Sequence, residues 1–335
     1  MNGRERFIKT MEHATPDRPP LFEDGIRDEV LERWQTQGMS KKDKLESLFI
    51  YDRREEIEPN LDPIPNPSHW PKSMNGVVKL STRLDPDDPQ RLPDGWDKKV
   101  VEWKSRDYPL LLRVHRGYFL SMGVHGWRRF TDAIQLLVDQ PHLVETWMNI
   151  YSEFTCRLVE RILREVKVDA VLFSEPIGGN HGPLISPAMY MSFVLQSYQP
   201  ILEVLISLGV KTIIYRTYAN TRALLPSVVK TGFICLWACE CNPQAMDYRQ
   251  IRSEFGRDLR LIGGIDSDSL RQTQQDIYRS MMEVVPPLLE DGGYIPLTDG
   301  RVREDVSFEN YMYYRKLLEA TTDSRSVSFK PDQPG

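Results

Sequence analysis

Short apolar runs alternate with longer segments of helical spacing along most of this 335-residue chain, and this alternation constrains its fold more than any other feature. The runs have strand length, and the segments between them have apolar residues three or four positions apart, as in amphipathic helices. Strands that alternate with helices form parallel sheets. The pattern predicts eight strands, at residues 20–22, 49–51, 109–114, 168–173, 211–215, 233–238, 259–262 and 294–297.

Eight strands favour closure of the sheet. We therefore expect an α/β fold, a (β/α)8 TIM barrel, in a single domain over residues 1–320. The segment 57–108, after the second strand, is rich in proline and lacks periodicity. It predicts a long insertion, with a hairpin around residues 76–80, that covers one mouth of the domain. Residues 321–335 are polar and predict a flexible C-terminal tail.

The composition excludes several functional classes. Hydrophobic residues make up 40% of the chain and charged residues 27%, which is typical of a globular protein. The net charge of −5 argues against nucleic acid or an anionic membrane as a partner. No apolar run reaches the length of a transmembrane helix and residues 1–10 are charged, so we expect a cytoplasmic protein. The sequence leaves the oligomeric state open, a homodimer included.

Polar and mostly ionisable side chains follow every predicted strand. In parallel α/β folds the loops after the strands carry the functional groups. Such residues would meet in one pocket, where proximity and burial shift their pKa values, although any one of them could be a helix cap or a surface charge. In chain order they are Glu23 and Asp24, Asp52 and Arg53, His115 and Arg116, Glu175, Arg216 and Tyr218, Glu240, Asp266, and Asp299 and Arg301.

Three residues are the best candidates for proton transfer. Glu175 ends an apolar run before a glycine-rich loop, so it could act as a base or accept a substrate hydrogen bond. The alternative is that it caps the helix that begins near Ser186. His115 and His181 both follow strands, although a lone histidine is more often structural.

The cysteines cluster at Cys235, Cys239 and Cys241. Thiolates are zinc ligands, but on a strand only Cys239 and Cys241 are close enough on one face to share a metal, and no histidine lies near them in sequence. Buried structural cysteines are the favoured interpretation, and a metal site is the alternative.

Five stretches of the chain form a recognisable set: residues 3–7 (GRERF), 182–189 (GPLISPAM), 220–226 (NTRALLP), 262–266 (IGGID) and 292–296 (GGYIP). Together they resemble the uroporphyrinogen decarboxylase superfamily, and the resemblance extends from Met1 to Ala320. It implies a barrel fold, in agreement with the strand count. The superfamily contains porphyrinogen decarboxylases and also methyltransferases that exchange methyl groups with corrinoid proteins.

The chain departs from both branches of this superfamily at its strand ends. The decarboxylases carry an arginine-rich stretch after the first strand, where this chain has residues 23–27 (EDGIR), and a histidine near the position of Asp299. The thiol-directed methyltransferases hold zinc with a His-x-Cys pair and a later cysteine, and the matching positions here are Arg216, Tyr218 and Asp299-Gly300. The resemblance therefore implies neither decarboxylation of uroporphyrinogen III nor a zinc site.

Arg216 is permanently cationic, so we expect it to bind an anionic group of a small substrate, with Tyr218 as a donor or proton shuttle. The alternative is an ion pair of Arg216 with Glu175 or Glu240. We expect a zinc-independent methyltransferase related to corrinoid-dependent methyl transfer, with a methylcorrinoid protein or tetrahydrofolate as methyl partner and no permanently bound cofactor. Decarboxylation of a small carboxylic acid, and ligand binding without catalysis, are the alternatives.

The residues expected to carry this chemistry form two sets. The expected catalytic residues are Glu175, Asp299, Tyr218 and His115. The expected substrate-binding residues are Arg216, Asp266, Glu240, Asn220, Asp24, Asp52, His181 and Arg301. We expect no residue to hold a metal.

Overall fold

The computed structural model describes residues 1–241 and 244–323, apart from the side chain of Glu46. Most of the predicted tail, from residue 324 onward, lies outside the described residues, and its residues 321 and 322 belong to a helix. Contacts divide the chain into two compact units. The first unit contains Met1–Arg54, Asp107–Pro109 and the chain from Leu236 onward, and the second contains Glu55–Arg106 and Leu110–Cys235.

Helices and strands alternate along the described chain, as the sequence predicts, and the fold is of the α/β class. The strands are β1 (Glu55–Ile57), β2 (Leu110–His115), β3 (Ala170–Glu175), β4 (Ile213–Tyr218), β5 (Cys235–Cys239), β6 (Arg260–Ile265) and β7 (Tyr294–Thr298). The helices are α1 (Gly3–Met11), α2 (Asp28–Thr36), α3 (Leu45–Leu48), α4 (Met74–Ser81), α5 (Trp96–Lys104), α6 (Tyr118–Ser121), α7 (Trp127–Asp139), α8 (Pro141–Glu165), α9 (Pro187–Met189), α10 (Gln196–Ser207), α11 (Leu225–Thr231), α12 (Tyr248–Phe255), α13 (Gln274–Asp291) and α14 (Phe308–Thr322).

A π-helical segment, Tyr190–Leu195, joins α9 to α10. The amide of Gln196 donates to the carbonyl of Met191, five residues before it. A π segment of this kind holds one residue more than the α-helix would hold over the same path.

Six of the eight predicted strands are confirmed within a few residues, as β2 to β7. The predicted strands at residues 20–22 and 49–51 are wrong, because neither segment is a strand. The structure instead has β1, Glu55–Ile57, which the sequence did not predict because its first two residues are both glutamates.

One backbone hydrogen bond joins the two segments that are not strands, and side chains bind other backbone groups of these segments, all within the first unit. The Asp52 amide donates to the Leu21 carbonyl at 2.9 Å, and the Asp52 carboxylate accepts from the Leu21 amide at 2.8 Å. The buried guanidinium of Arg315 donates to the carbonyls of Phe22 and Ile50. Backbone groups that a ladder would pair therefore have other partners.

The insertion between β1 and β2 is helical rather than β-structured. The predicted hairpin at residues 76–80 is wrong, since α4 covers this stretch. Ser73 caps the helix, with its hydroxyl accepting from the Gly76 amide. The buried guanidinium of Arg91 binds the carbonyls of four insertion residues and lies 4.7 Å from the ring of Phe154 on α8; the carbonyls belong to Asn60, Asp62, Arg83 and Asp85.

The second unit places its functional groups on two opposite faces of a parallel sheet. Its strands β1 to β4 pair in chain order, with Ser174 opposite Arg216 and Glu175 opposite Thr217. Successive side chains of a strand point to opposite faces. Arg216 therefore lies on one face, while Glu175 lies on the face that packs against Tyr198 of α10.

The first unit joins the parallel pair β6 and β7 to helices from both ends of the chain. Trp34 of α2 is fully buried, and its ring lies 4.8 Å from that of Tyr311 on α14. The Trp34 indole also donates to the Val306 carbonyl at 2.9 Å.

Among the described residues no helix combines the length and the apolar character needed to cross a membrane.

Candidate functional site

A cavity of about 370 Å³ lies in the first unit beside the carboxyl ends of β6 and β7. Asp266 directly follows β6, Asp299 directly follows β7, and both line the cavity together with Cys241. Neighbouring parallel strands end at the same edge of a sheet, which is why the two carboxyl groups meet. We call this site the acid cavity.

Asp299 is the most buried carboxyl group of the acid cavity, with 4% of its surface exposed. Its Oδ1 accepts a hydrogen bond from the Ser267 amide at 3.0 Å, and the Cys241 thiol lies 3.9 Å from its Oδ2. Burial raises the pKa of Asp299, and the negative charge of Asp266 acts in the same direction. The protonated carboxyl, a proton donor, is therefore populated at a higher pH than in an exposed aspartate.

Asp266 is half-buried and begins a short 3-10 helix, Ser267–Arg271. Its carboxylate accepts from the Asp268 amide at 2.9 Å. Burial raises the pKa of Asp266 as well. Two carboxyl groups with raised pKa values in one cavity allow one to act as an acid while the other is ionised.

A tyrosine that the sequence did not single out fixes the wall of the acid cavity. The hydroxyl of Tyr248 donates to the Ile262 carbonyl at 2.6 Å and accepts from the Ala238 amide at 2.9 Å. A Cβ at Gly264, where φ is +85°, would lie 2.7 Å from the Tyr248 ring. Only glycine fits this contact, which accounts for the second glycine of the IGGID stretch.

Cys241 and Glu240 contribute to the acid cavity and its border in different ways. Burial raises the pKa of the Cys241 thiol, so this group is a thiol rather than a reactive thiolate. Glu240 is exposed, and its φ of +47° is unusual for a residue with a side chain. Its amide donates to the Asp299 carbonyl, which ties β5 to the loop after β7. Arg301 is exposed.

A second group of charged residues lies on one face of the sheet in the second unit. Glu56 of β1 forms ion pairs with Arg113 of β2 at 3.0 Å and with Arg216 of β4 at 3.5 Å. Arg113 also binds Glu58 at 2.8 Å, and the Arg216 guanidinium lies 5.8 Å from the Tyr218 ring. We call these five residues the arginine face. Arg216 thus pairs with Glu56, a partner that the sequence did not suggest.

Glu175 lies on the opposite face of the same sheet and is fully buried. Its carboxylate accepts from the Tyr198 hydroxyl at 2.5 Å, the Tyr118 amide at 3.0 Å and the Tyr190 hydroxyl at 3.4 Å. The Tyr190 hydroxyl also lies 3.0 Å from that of Tyr215. Burial raises the pKa of Glu175 to about 7, although these hydrogen bonds oppose the shift. The structure does not bring Glu175 to Arg216.

His115 is buried on the same side as Glu175. A shift of register between Arg113 and His115 places His115 opposite Phe173, and the two rings stack 6.0 Å apart. Its Nδ1 accepts from the Gly117 amide at 2.9 Å, so the proton of the neutral ring is on Nε2. Burial and the charge of Arg116 lower the pKa of His115 to about 3.

The remaining predicted residues are dispersed. His181 is exposed in the loop after β3, and the Asn220 carboxamide accepts from the Arg222 amide. Asp52 is buried between Arg6 and Arg18, at 3.0 and 2.5 Å. Asp24 forms an ion pair with Arg54 at 2.6 Å, and the Arg54 guanidinium lies 4.8 Å from the Trp237 ring.

The residues at the family's zinc positions do not fit zinc. Arg216 cannot donate an electron pair and is paired with Glu56, and the ring of Tyr218 lies beneath the guanidinium of Arg216. Within residues 1–241 and 244–323 no three His, Cys, Asp or Glu side chains are grouped as metal ligands. Cys235, Cys239 and Cys241 are buried, and none of the three is in a disulfide.

The comparisons with known proteins agree with the predicted resemblance. Residues 120–313, more than half of the chain, match the family model for uroporphyrinogen decarboxylase (URO-D). No curated protein matches the chain.

Two solved structures are similar to different degrees. A methyltransferase from Methanosarcina mazei has a TM-score of 0.58 at 14% identity, over 95% of this chain and 98% of that one, which shows a shared fold. The crystal structure of A. niger ochratoxinase has a TM-score of 0.29 at 12% identity, over 80% of this chain and 68% of that one. This score is too low to indicate a shared fold. The family match and the shared fold confirm the resemblance seen in the sequence, and the chain belongs to the uroporphyrinogen decarboxylase family.

Proposed function

We propose that this chain is a barrel enzyme of its family that transfers a methyl group without zinc, with Asp299 as the acid that protonates the departing group. The observation that carries the proposal is the acid cavity, in which a buried carboxyl group lies beside a second one. Asp266 completes the pair, and its charge favours the protonated form of Asp299.

Methyl transfer from oxygen, nitrogen or sulfur leaves electrons on the atom that loses the methyl group. A protonated carboxyl with a raised pKa can donate a proton to that atom at a pH where an exposed aspartate is ionised. Asp299 meets this requirement because it is buried, and its carboxyl group has the Ser267 amide near Oδ1 and the Cys241 thiol near Oδ2.

The acceptor of the methyl group comes from outside the acid cavity. Burial keeps Cys241 protonated, so its thiol is a poor nucleophile. The similarity in fold to a methyltransferase supports methyl transfer as the reaction, and we propose that the acceptor is a separate molecule. A corrinoid protein or tetrahydrofolate fits this role, and the proposed substrate is a small methylated molecule with an anionic group. We also propose a cytoplasmic location.

An activity assay with Asp299→Asn tests the proposal. Methylated ethers, amines and thioethers are offered to the chain with cob(I)alamin as acceptor, and formation of methylcobalamin is followed by its absorbance. The variant cannot donate the proton, so we expect turnover to fall roughly 10²- to 10⁴-fold. Full activity of the variant, or no methyl exchange with any donor and acceptor, contradicts the proposal.

Asp305→Asn is the matched control. Asp305 is an exposed aspartate of the same unit that pairs with Arg271 at 2.8 Å and does not line the acid cavity. The same Asp-to-Asn substitution at this position should leave turnover near the wild-type value.

The arginine face favours a second candidate function, decarboxylation of a small carboxylic acid. Arg113 and Arg216 share the carboxylate of Glu56, and a substrate carboxylate could take the place of Glu56 on either guanidinium. Release of carbon dioxide from candidate acids distinguishes this function from methyl transfer. Arg216→Lys keeps the charge but loses the planar fork, so we expect KM to rise about tenfold, whereas Arg157→Lys, on an exposed side chain, should not change it.

A further inference from the structure

The second unit contains a further cavity, and none of its lining residues belongs to the acid cavity or to the arginine face. Its volume is about 730 Å³, large enough for a small metabolite. It lies between the insertion segment 66–72 and the loop and helix at residues 123–132. The ionisable residues of its lining are His69, Lys72, His125, Arg128, Arg129 and Asp132.

The charge of this cavity is positive. Lys72, Arg128 and Arg129 contribute three cations, and Asp132 contributes the only carboxylate of its lining. Lys72 binds Asp132 at 2.9 Å, and this contact lowers the pKa of Asp132. Asp132 also attracts Arg128 and Arg129 electrostatically, so the lining combines three cations with one carboxylate and keeps a net positive charge.

Arg129 has donor capacity that the protein does not use. Its Nε and Nη2 both donate to the Met122 carbonyl, at 3.0 and 2.8 Å. Its Nη1 is buried and has no hydrogen-bond partner among the described residues. An arginine remains charged in proteins, and a desolvated cation with an unsatisfied N–H group is costly unless an anion binds it.

The cavity is held in shape by close packing. The Arg129 guanidinium lies 5.4 Å from the centroid of the Trp70 ring, and the centroids of the Trp70 and Trp147 rings lie 5.2 Å apart in a T-shaped contact. A Cβ at Gly123, where φ is +70°, would lie 2.2 Å from Trp70, so the loop can approach the ring only as glycine. Arg129 is therefore positioned before any ligand arrives, which reduces the entropy lost on binding.

We propose that this cavity binds a small organic anion through a phosphate or carboxylate group, with the exposed Arg128 and the half-buried Arg129 as the two cations that attract it. His69 and His125, both exposed at the cavity, supply further N–H donors. This cavity shares no lining residue with the acid cavity, so we assign it a second ligand rather than the group that receives the proton from Asp299.

Isothermal titration of the full chain tests this site, with inorganic pyrophosphate and citrate as probes in a chloride buffer. Binding of pyrophosphate alone assigns a phosphate ligand, and binding of citrate alone assigns a carboxylate ligand. Arg129→Gln should weaken binding roughly tenfold or more, through loss of a charge-assisted hydrogen bond. Absence of binding by both probes overturns the proposal.

Three further variants make the test specific. Arg128→Gln alters an exposed side chain and should also weaken binding, which keeps the test decisive if Arg129→Gln does not fold. Asp132→Asn should strengthen binding, because it removes the negative charge and releases Lys72. Arg157→Gln changes an exposed arginine outside the cavity and should have no effect. Unchanged affinity in Arg129→Gln, Arg128→Gln and Asp132→Asn together overturns the proposal.

A last variant separates this inference from the proposed function. Asp299→Asn should bind both probes as the wild type does, even where its turnover is lost. Loss of probe binding in this variant would place the probes in the acid cavity and overturn the assignment to Arg129.

Discussion

At the scale of single residues, Glu175 shows how a shift of one position along a strand determines the face of the sheet on which a side chain lies, and hence the groups that it contacts. The sequence correctly places it at the end of β3, and strand ends are where functional groups are expected. Its neighbour Ser174 faces the side of Arg216, whereas Glu175 faces the tyrosines of the helical layer. A run of buried residues has no alternation from which the face could be predicted.

Glu175→Gln should flatten the pH dependence of stability. Burial raises the folded-state pKa of Glu175 to about 7, above its ordinary value of 4.5. The contribution of Glu175 to stability is therefore complete below about pH 4.5 and falls by up to about 3 kcal/mol as the pH rises through 7. The glutamine variant does not ionise, so its free energy of unfolding should change less across this window.

Urea denaturation at a series of pH values measures this difference. Glu203→Gln, at an exposed position on α10, is the control and should follow the wild type. If the Glu175→Gln curve runs parallel to that of the wild type between pH 4.5 and 7, the raised pKa is refuted.

The acid cavity could be predicted in part. Asp266 and Asp299 follow strands that end at one edge, so strand order alone brings them together. Strand order does not predict Tyr248 of the acid cavity, because this residue begins a helix. It does not predict Arg113 of the arginine face either, because this residue interrupts an apolar run. His115 was predicted as catalytic, but the irregular register of β2 turns it into the helical layer, and no sequence signal marks such a shift.

At the scale of elements, the insertion between β1 and β2 shows the limit of reasoning from proline content. Prolines and the lack of periodicity predict an irregular excursion, but one buried residue, Arg91, fixes much of its path. Four carbonyls point to its guanidinium, and the Tyr151 hydroxyl holds the Leu61 carbonyl at 3.1 Å. Contacts of this kind depend on tertiary structure and leave no local pattern.

Arg91→Lys should destabilise this element. A lysine ammonium cannot reach all four carbonyls, so buried acceptors lose their donors, and we expect a loss of roughly 2–4 kcal/mol in the free energy of unfolding. Urea denaturation measures the loss, and limited proteolysis should show earlier cleavage between residues 57 and 108. Arg164→Lys on an exposed position of α8 should unfold as the wild type does. Equal stability of the Arg91 variant would refute its role.

At the scale of the whole molecule, the sequence predicted the α/β class and the family, and both are confirmed. The stretches at residues 182–189, 262–266 and 292–296 lie inside the matched region 120–313. The residues before 120 are where two predicted strands and a predicted hairpin are wrong. There, side chains such as Asp52 and Arg315 replace ladder hydrogen bonds, so hydrophobic pattern and backbone pairing no longer correspond.

The number of residues in the π-helical segment Tyr190–Leu195 explains why the buried carboxyl of Glu175 has two hydroxyl partners. In an α-helix, residues eight apart differ in direction by about 80°, since each residue turns about 100°. One additional residue in the turn reduces this difference to about 20°, which points Tyr190 and Tyr198 the same way. In a relative that lacks this residue, only one of the two tyrosine hydroxyls would reach the carboxyl. The number of residues in this helix therefore indicates whether both hydroxyls bind the carboxyl.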